Sequence, residues 1–196
     1  MGVQEAIKEL NDLYVRANRD LFEDQLPHAE ITIQSKGRKN AVGWFTTDKV
    51  WKNGETRYHE INLSAEHLDR SFEEIASTLI HEMVHLANSG EAIKDVSGSN
   101  GYHNKRFMVR AEGVGLIVEK GKHGFAYTSL GDNLKNWLGR QGADPEAFNT
   151  FRLRQETKQK KPTKMQKYYC GCTILRCATE LDASCNLCGE PFVLED

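Results

Sequence analysis

Between Phe72 and Ala87, apolar residues stand at Phe72, Ile75, Ala76, Leu79, Ile80, Met83, Val84 and Ala87, which covers more than half the circumference of one helix. A helix patterned this way belongs at the centre of a domain. Any polar side chain on it needs a partner or costs about 1–3 kcal/mol in desolvation. Ser71 followed by Glu74 forms a capping box that starts the helix, and Asn88-Ser89-Gly90 is expected to stop it. The polar groups set into the apolar surface are His81, Glu82 and His85.

Residues four apart on a helix project from one face, so His81 and His85 can offer two imidazoles to one ion. Glu82, one step round, then reaches a water held by that ion. A catalytic zinc takes three protein ligands and keeps a fourth position open, where a water becomes acidic enough to act near neutral pH. Glu82 is the expected general base, passing the water's proton to a leaving amine. The third ligand must come from elsewhere: the candidates are His103, Glu91, Asp95, Glu112 and His123. His103 is favoured, because it follows a glycine-containing loop and opens a predicted helix, with Glu112 next. For a group that stabilises the developing oxyanion the candidates are Tyr58, Tyr102, His123 and Tyr127.

Elsewhere the pattern is that of an α+β domain. Val3, Ile7, Leu10, Leu13, Tyr14, Ala17 and Leu21 form a helical stripe that ends before Pro27. Residues 29–34, 41–47 and 58–63 favour strands of a small, mostly antiparallel sheet. A second helix is expected from His103 to Glu112, short strands at 116–118 and 125–129, and a helix capped by Asp132 that bears Leu134, Trp137 and Leu138.

All five cysteines lie between Cys170 and Cys188, a clustering that argues for metal rather than a secreted disulfide framework. Cys170-Gly171-Cys172 and Cys185-Asn186-Leu187-Cys188 suit two turns that each give two thiolates to a tetrahedral structural zinc. Cys177 is left over, as a small apolar residue of a strand or as a replacement for Cys172. A module this small needs its ion to fold. Residues 152–167 carry seven basic side chains and one acidic, with almost nothing apolar, and read as a basic flexible linker. That divides the chain into a main domain, 1–151, the linker, and a zinc ribbon, 168–196. The linker's charge could neutralise phosphates while Tyr168 or Tyr169 stacks on an exposed base of single-stranded nucleic acid. No apolar run is long enough for a bilayer, and residues 1–6 lack the basic-then-apolar plan of a secretory signal, so the expectation is an intracellular protein with no membrane partner.

The order of Leu26-Pro27, Gly43, Ile61-Asn62-Leu63-Ser64, Leu79-Ile80-His81-Glu82-Met83-Val84-His85, His103-Asn104-Lys105-Arg106-Phe107 and the cysteine ribbon resembles the SprT-like metalloprotease family. The resemblance implies a zincin-like domain with His81, His85 and His103 as ligands of a catalytic Zn2+. It makes Glu82 the base, and Cys170, Cys172, Cys185 and Cys188 the ligands of a structural Zn2+. It further implies protein substrates bound or crosslinked to DNA, with DNA as activator. Asn104 departs from the glycine usual after the family's third histidine. Two other classes remain open: a nucleic-acid-binding or adaptor protein with a structural histidine site, and a zinc amidohydrolase acting on small molecules.

Overall fold

A computed structural model describes residues 2–35, 41–98, 101–154 and 165–195. Its contacts divide the chain into two units, Met1–Arg154 and Gln155–Asp196. Most of the basic linker, residues 155–164, lies outside the described residues.

The first unit is α+β. Helix α1, Val3–Leu21, buries the stripe of Ala6, Leu10, Leu13, Tyr14 and Ala17. Asn18 ties off the turn that follows, its side chain bonding both the N–H and the C=O of Leu26. Strands β1 (Ala29–Gln34), β2 (Gly43–Phe45), β3 (Trp51–Asn53) and β4 (Thr56–Ser64) form one sheet in which β4 pairs with all three others. Strands β2 and β3 run antiparallel to β4, but β1 runs parallel to it over six residue pairs. Two of the three pairings are thus antiparallel, in keeping with the mostly antiparallel sheet expected, and β1–β4 is the parallel exception; β2 and β3 lie between β1 and β4 in sequence and return the chain to its first direction. Strand β3, which the sequence did not suggest, is short and exposed.

Helix α2, Phe72–Gly90, is the centre of the unit. Ser71 and Glu74 form the expected reciprocal cap, with Ser71 N–H 3.0 Å from the Glu74 carboxylate. Every residue from Ile75 to Asn88 is buried, because α2 packs against α1, β2, β4 and two later elements, helix α3 (Lys105–Gly113) and strand β8 (Gly124–Leu130). Leu79, Ile80, Met83 and Leu86 are fully enclosed, each worth about 1.5–3 kcal/mol of burial. The helix ends at Gly90, within the expected stop at Asn88-Ser89-Gly90.

A second sheet orders β5 (Val96–Ser97), β6 (Tyr102–His103), β8 and β7 (Leu116–Gly121) side by side. His103 therefore ends a strand instead of opening a helix. The reason is Asn104, whose extended backbone and side-chain oxygen cap α3 by accepting the Arg106 N–H at 2.8 Å. Helix α4, Asp132–Gly139, follows β8, with Gly131 rather than Asp132 at its cap position, and a short 3-10 turn at Pro145–Phe148 then buries Ala147 and Phe148. Among the described residues no helix is long and apolar enough to cross a membrane.

The second unit holds a three-stranded antiparallel sheet, ordered β10 (Ile174–Cys177), β9 (Gln166–Tyr169), β11 (Val193–Leu194). Tyr168 is buried and its hydroxyl accepts the Leu181 N–H at 3.1 Å, whereas Tyr169 is 45% exposed.

Candidate metal centre

Two elements bring the histidines together. His81 and His85 sit one turn apart on α2, and β6 delivers His103 opposite them, so that the ligating atoms of the three lie within 4.8 Å of one another. Nε2 of His103 is 3.1 Å from Nε2 of His81 and 3.0 Å from Nε2 of His85. The ring of Phe107, fully buried at the start of α3, packs against all three imidazoles with centroids 4.5, 4.7 and 4.7 Å away.

The far nitrogens show which way the lone pairs point. Nδ1 of His103 donates to the Gly101 carbonyl at 3.1 Å, and Nδ1 of His85 donates to the Asp95 carboxylate at 2.7 Å. Nδ1 of His81 lies 3.0 Å from the Thr128 hydroxyl. Burial, followed by the charge of His85, pulls His103 down to about 4 and His81 well below its ordinary value, so both are neutral at pH 7. A neutral His103 that donates from Nδ1 presents a bare Nε2 to its neighbours. Converging bare nitrogens repel, and a cation among them removes that cost. Nitrogens about 2 Å from a tetrahedral zinc lie about 3.3 Å apart, close to the observed spacing, so the residues fit such an ion.

Glu82 is buried beside this cluster under strand β2. Burial pushes its carboxyl up to about 7; the charge of Asp95 adds to the rise, while His85 and the backbone N–H of Phe45 oppose it. The approach of β2 depends on Gly43, since a Cβ there would stand 2.7 Å from Cγ2 of Thr78, 3.0 Å from the Asn62 carbonyl and 3.2 Å from the Glu82 carboxylate.

The other third-ligand candidates lie elsewhere. Asp95 is spent on His85 and on the side-chain amide of Asn88, 2.8 Å away. Glu91 pairs with Arg110, and Glu112 is exposed on α3. The His123 side chain is exposed, while its carbonyl accepts the His103 N–H at 3.0 Å. Among the oxyanion candidates, Tyr58 packs edge-on to His28, Tyr127 lies over Gly121, and Tyr102 lies over Gly124 beside β6. Sequence reasoning missed Thr128, Asn88 and the bracing role of Asp95. Asp95 could have been weighed as a partner of a ligand, since such carboxylates commonly orient metal-bound histidines; Thr128, 47 residues from His81, gave no signal.

In the second unit, the sulfurs of Cys170, Cys172, Cys185 and Cys188 also lie within 4.8 Å of one another. Cys172 Sγ is 3.6 Å from that of Cys170 and 3.4 Å from that of Cys185. Backbone N–H groups of Cys188 and Leu187 draw the Cys185 thiol towards its thiolate form. Gly189, at a φ of +76°, completes that turn and donates to the Cys185 carbonyl. Cys177 stands outside the group, half-buried in β10 with its sulfur 3.6 Å from the Thr179 hydroxyl. Four convergent thiols with no disulfide among them suit a tetrahedral zinc.

No curated protein and no solved structure matches this chain. The model of one family, described as the SprT-like family, matches residues 10–134. That span runs from α1 into α4 and takes in the three histidines and Glu82, while the four clustered cysteines fall beyond it. With most of its length so matched, the chain belongs to the SprT-like family, a family of metallopeptidase type.

Proposed function

We propose that this protein is a zinc-dependent endopeptidase of zincin-like architecture that cuts DNA-bound or DNA-crosslinked proteins with DNA as activator. The observation that carries the peptidase part is the convergence of three imidazole Nε2 atoms beside a buried carboxyl, within a metallopeptidase-type family. A zinc ion bound there supplies Lewis acidity towards water and the scissile carbonyl. His81, His85 and His103 hold it, braced by Thr128, Asp95 and Gly101. Glu82 takes the proton of the attacking water and delivers it to the departing amide nitrogen. A carboxyl lifted towards neutrality suits both halves of that transfer, since it gains and loses a proton at similar cost near pH 7.

Among the described residues the histidine group offers three donors and no fourth His, Cys, Asp or Glu, which favours an open coordination position over a closed structural site. Proteins on DNA as the substrate class rest on the family resemblance and on the basic linker; exposed Tyr169 in the cysteine unit adds a stacking surface.

Incubating the zinc-loaded chain with an unstructured protein such as casein, with and without single-stranded oligonucleotide, tests the reading. Fragments that accumulate only with the oligonucleotide support it. Fragments formed equally without it remove the DNA part, and an intact substrate in both removes the peptidase.

A further inference from the structure

One open surface cleft of the first unit begins at Asn104, the residue after His103, and carries a different chemistry. About 490 Å³ in volume, it is lined by Lys94, Ser97, Gly98, Asn104, Lys105 and Arg106. Three of those six residues are cations, and none is acidic. Lys94, Lys105 and Arg106 are exposed, and among the described residues none of them forms an ion pair. The nearby acids are already engaged, Glu91 by Arg110 and Asp95 by His85. The whole chain has a net charge of -2, so this concentration of unpaired positive charge is local.

From this cleft we infer a phosphate-binding site for the backbone of a single-stranded nucleic acid. Two ammonium groups and one guanidinium around a single concavity match the charge of successive phosphodiesters, with the guanidinium able to grip two oxygens of one phosphate. No aromatic side chain lines the cleft, so the contact holds the backbone without reading bases. The end of α3 is already capped by Asn104, which leaves side-chain charge rather than free N–H groups to supply the attraction.

The cleft is also built stiffly. The Asn104 amide bonds the Lys94 carbonyl at 3.0 Å and the Ser97 hydroxyl at 3.2 Å, tying both residues to the cap of α3. Because Asn104 directly follows His103, a nucleic-acid strand held here would lie at the residue next in sequence to a histidine of the proposed metal centre. This extends the nucleic-acid half of the proposed function to the histidine-bearing unit, and it stands whether or not peptide bonds are cut.

The test is fluorescence anisotropy of a labelled oligothymidine 20-mer against the full zinc-loaded chain over a range of salt concentrations. The neutralised K94Q/K105Q/R106Q variant should bind at least about tenfold more weakly, with a slope of log affinity against log salt shallower by about two, as expected for three lost phosphate contacts on a single strand. Its zinc content and melting temperature should match the parent's. A charge-conserving K94R/K105R/R106K variant should bind like the parent. Unchanged affinity and slope in the neutralised variant overturn the site; so does a selective loss of binding to a polyglutamate peptide, which reassigns the cleft to acidic proteins. Binding needs no turnover, so failure here leaves the peptidase reading intact, and failure of the peptidase leaves this site intact.

Discussion

Asp95 braces His85 from behind: its carboxylate accepts the Nδ1 hydrogen at 2.7 Å, and the Asn88 amide holds the same oxygen at 2.8 Å. The bond fixes the ring's rotation and leaves Nε2 free to face His81 and His103. Removing such a partner typically costs 10–100-fold in metal affinity. Asp95→Ala should therefore weaken zinc binding at the histidine site by about 10–100-fold in competition with a chromophoric chelator, while the far-UV circular dichroism stays the same. Parental affinity in the variant would show that the brace is incidental.

Gly43 sets how closely β2 approaches Glu82. A methyl group at this position meets the Asn62 carbonyl at 3.0 Å, and a backbone atom of a central strand cannot turn aside as a side chain does. Gly43→Ala should destabilise the protein by about 1–3 kcal/mol through overpacking and lower peptidase activity more than its lost stability explains. Chemical denaturation and initial rates at a temperature where both proteins are folded separate the two effects. Equal activity per folded molecule would free Gly43 of any role at Glu82.

Acidification should destabilise the metal-free protein. His81 and His103 are held below their ordinary value by burial, His103 at about 4, so the folded state stays neutral where the unfolded chain takes up protons below about 6.5. Glu82 works the other way: with its folded value near 7, it keeps a proton that the unfolded chain has released above about 4.5. Two imidazoles against one carboxyl leave about one more proton on the unfolded chain near pH 5.5, so stability is lost by on the order of 1 kcal/mol for each unit the pH drops there. The urea midpoint of the metal-free chain should drop between pH 7 and pH 5, and zinc should steepen the fall because protons compete for the same nitrogens. A midpoint that rises on acidification contradicts the assignment of neutral histidines.

The cysteine unit has few buried side chains to hold it, Tyr168 and Cys185 among them, so the proposed ion carries much of its folding. Chelation should open residues 165–195 to trypsin, which can cut at Lys167 and Arg176, well before the sites within residues 2–154 become accessible. Mass spectrometry of timed digests checks the order. Simultaneous cutting in both units would show that the cysteine unit does not depend on metal separately.

Much of the centre was legible because its information is local. The capping box at Ser71 and Glu74 and the all-round apolar pattern mark α2, and the four-residue spacing of His81 and His85 follows from the helix itself. His103 was legible as a residue but not as part of a strand: β6 is two residues long, and what fixes it is its pairing with β5 and β8 on either side. Thr128 was illegible for the same reason, since only the docking of β8 on α2, helped by the Ser77 hydroxyl bond to the Thr128 carbonyl, brings it to His81. The parallel β1–β4 ladder likewise joins residues about 30 apart that carry no local signal of direction.

Glu82 carries the central claim, and Glu82→Gln isolates it because the amide keeps the shape of the carboxyl but cannot take the proton. Zinc content of the histidine site and cleavage of an unstructured protein should be measured on the same preparation, with the oligonucleotide present. The account predicts parental zinc content and a loss of cleavage of about a hundredfold or more. A variant that binds zinc and still cuts at the parental rate would contradict it.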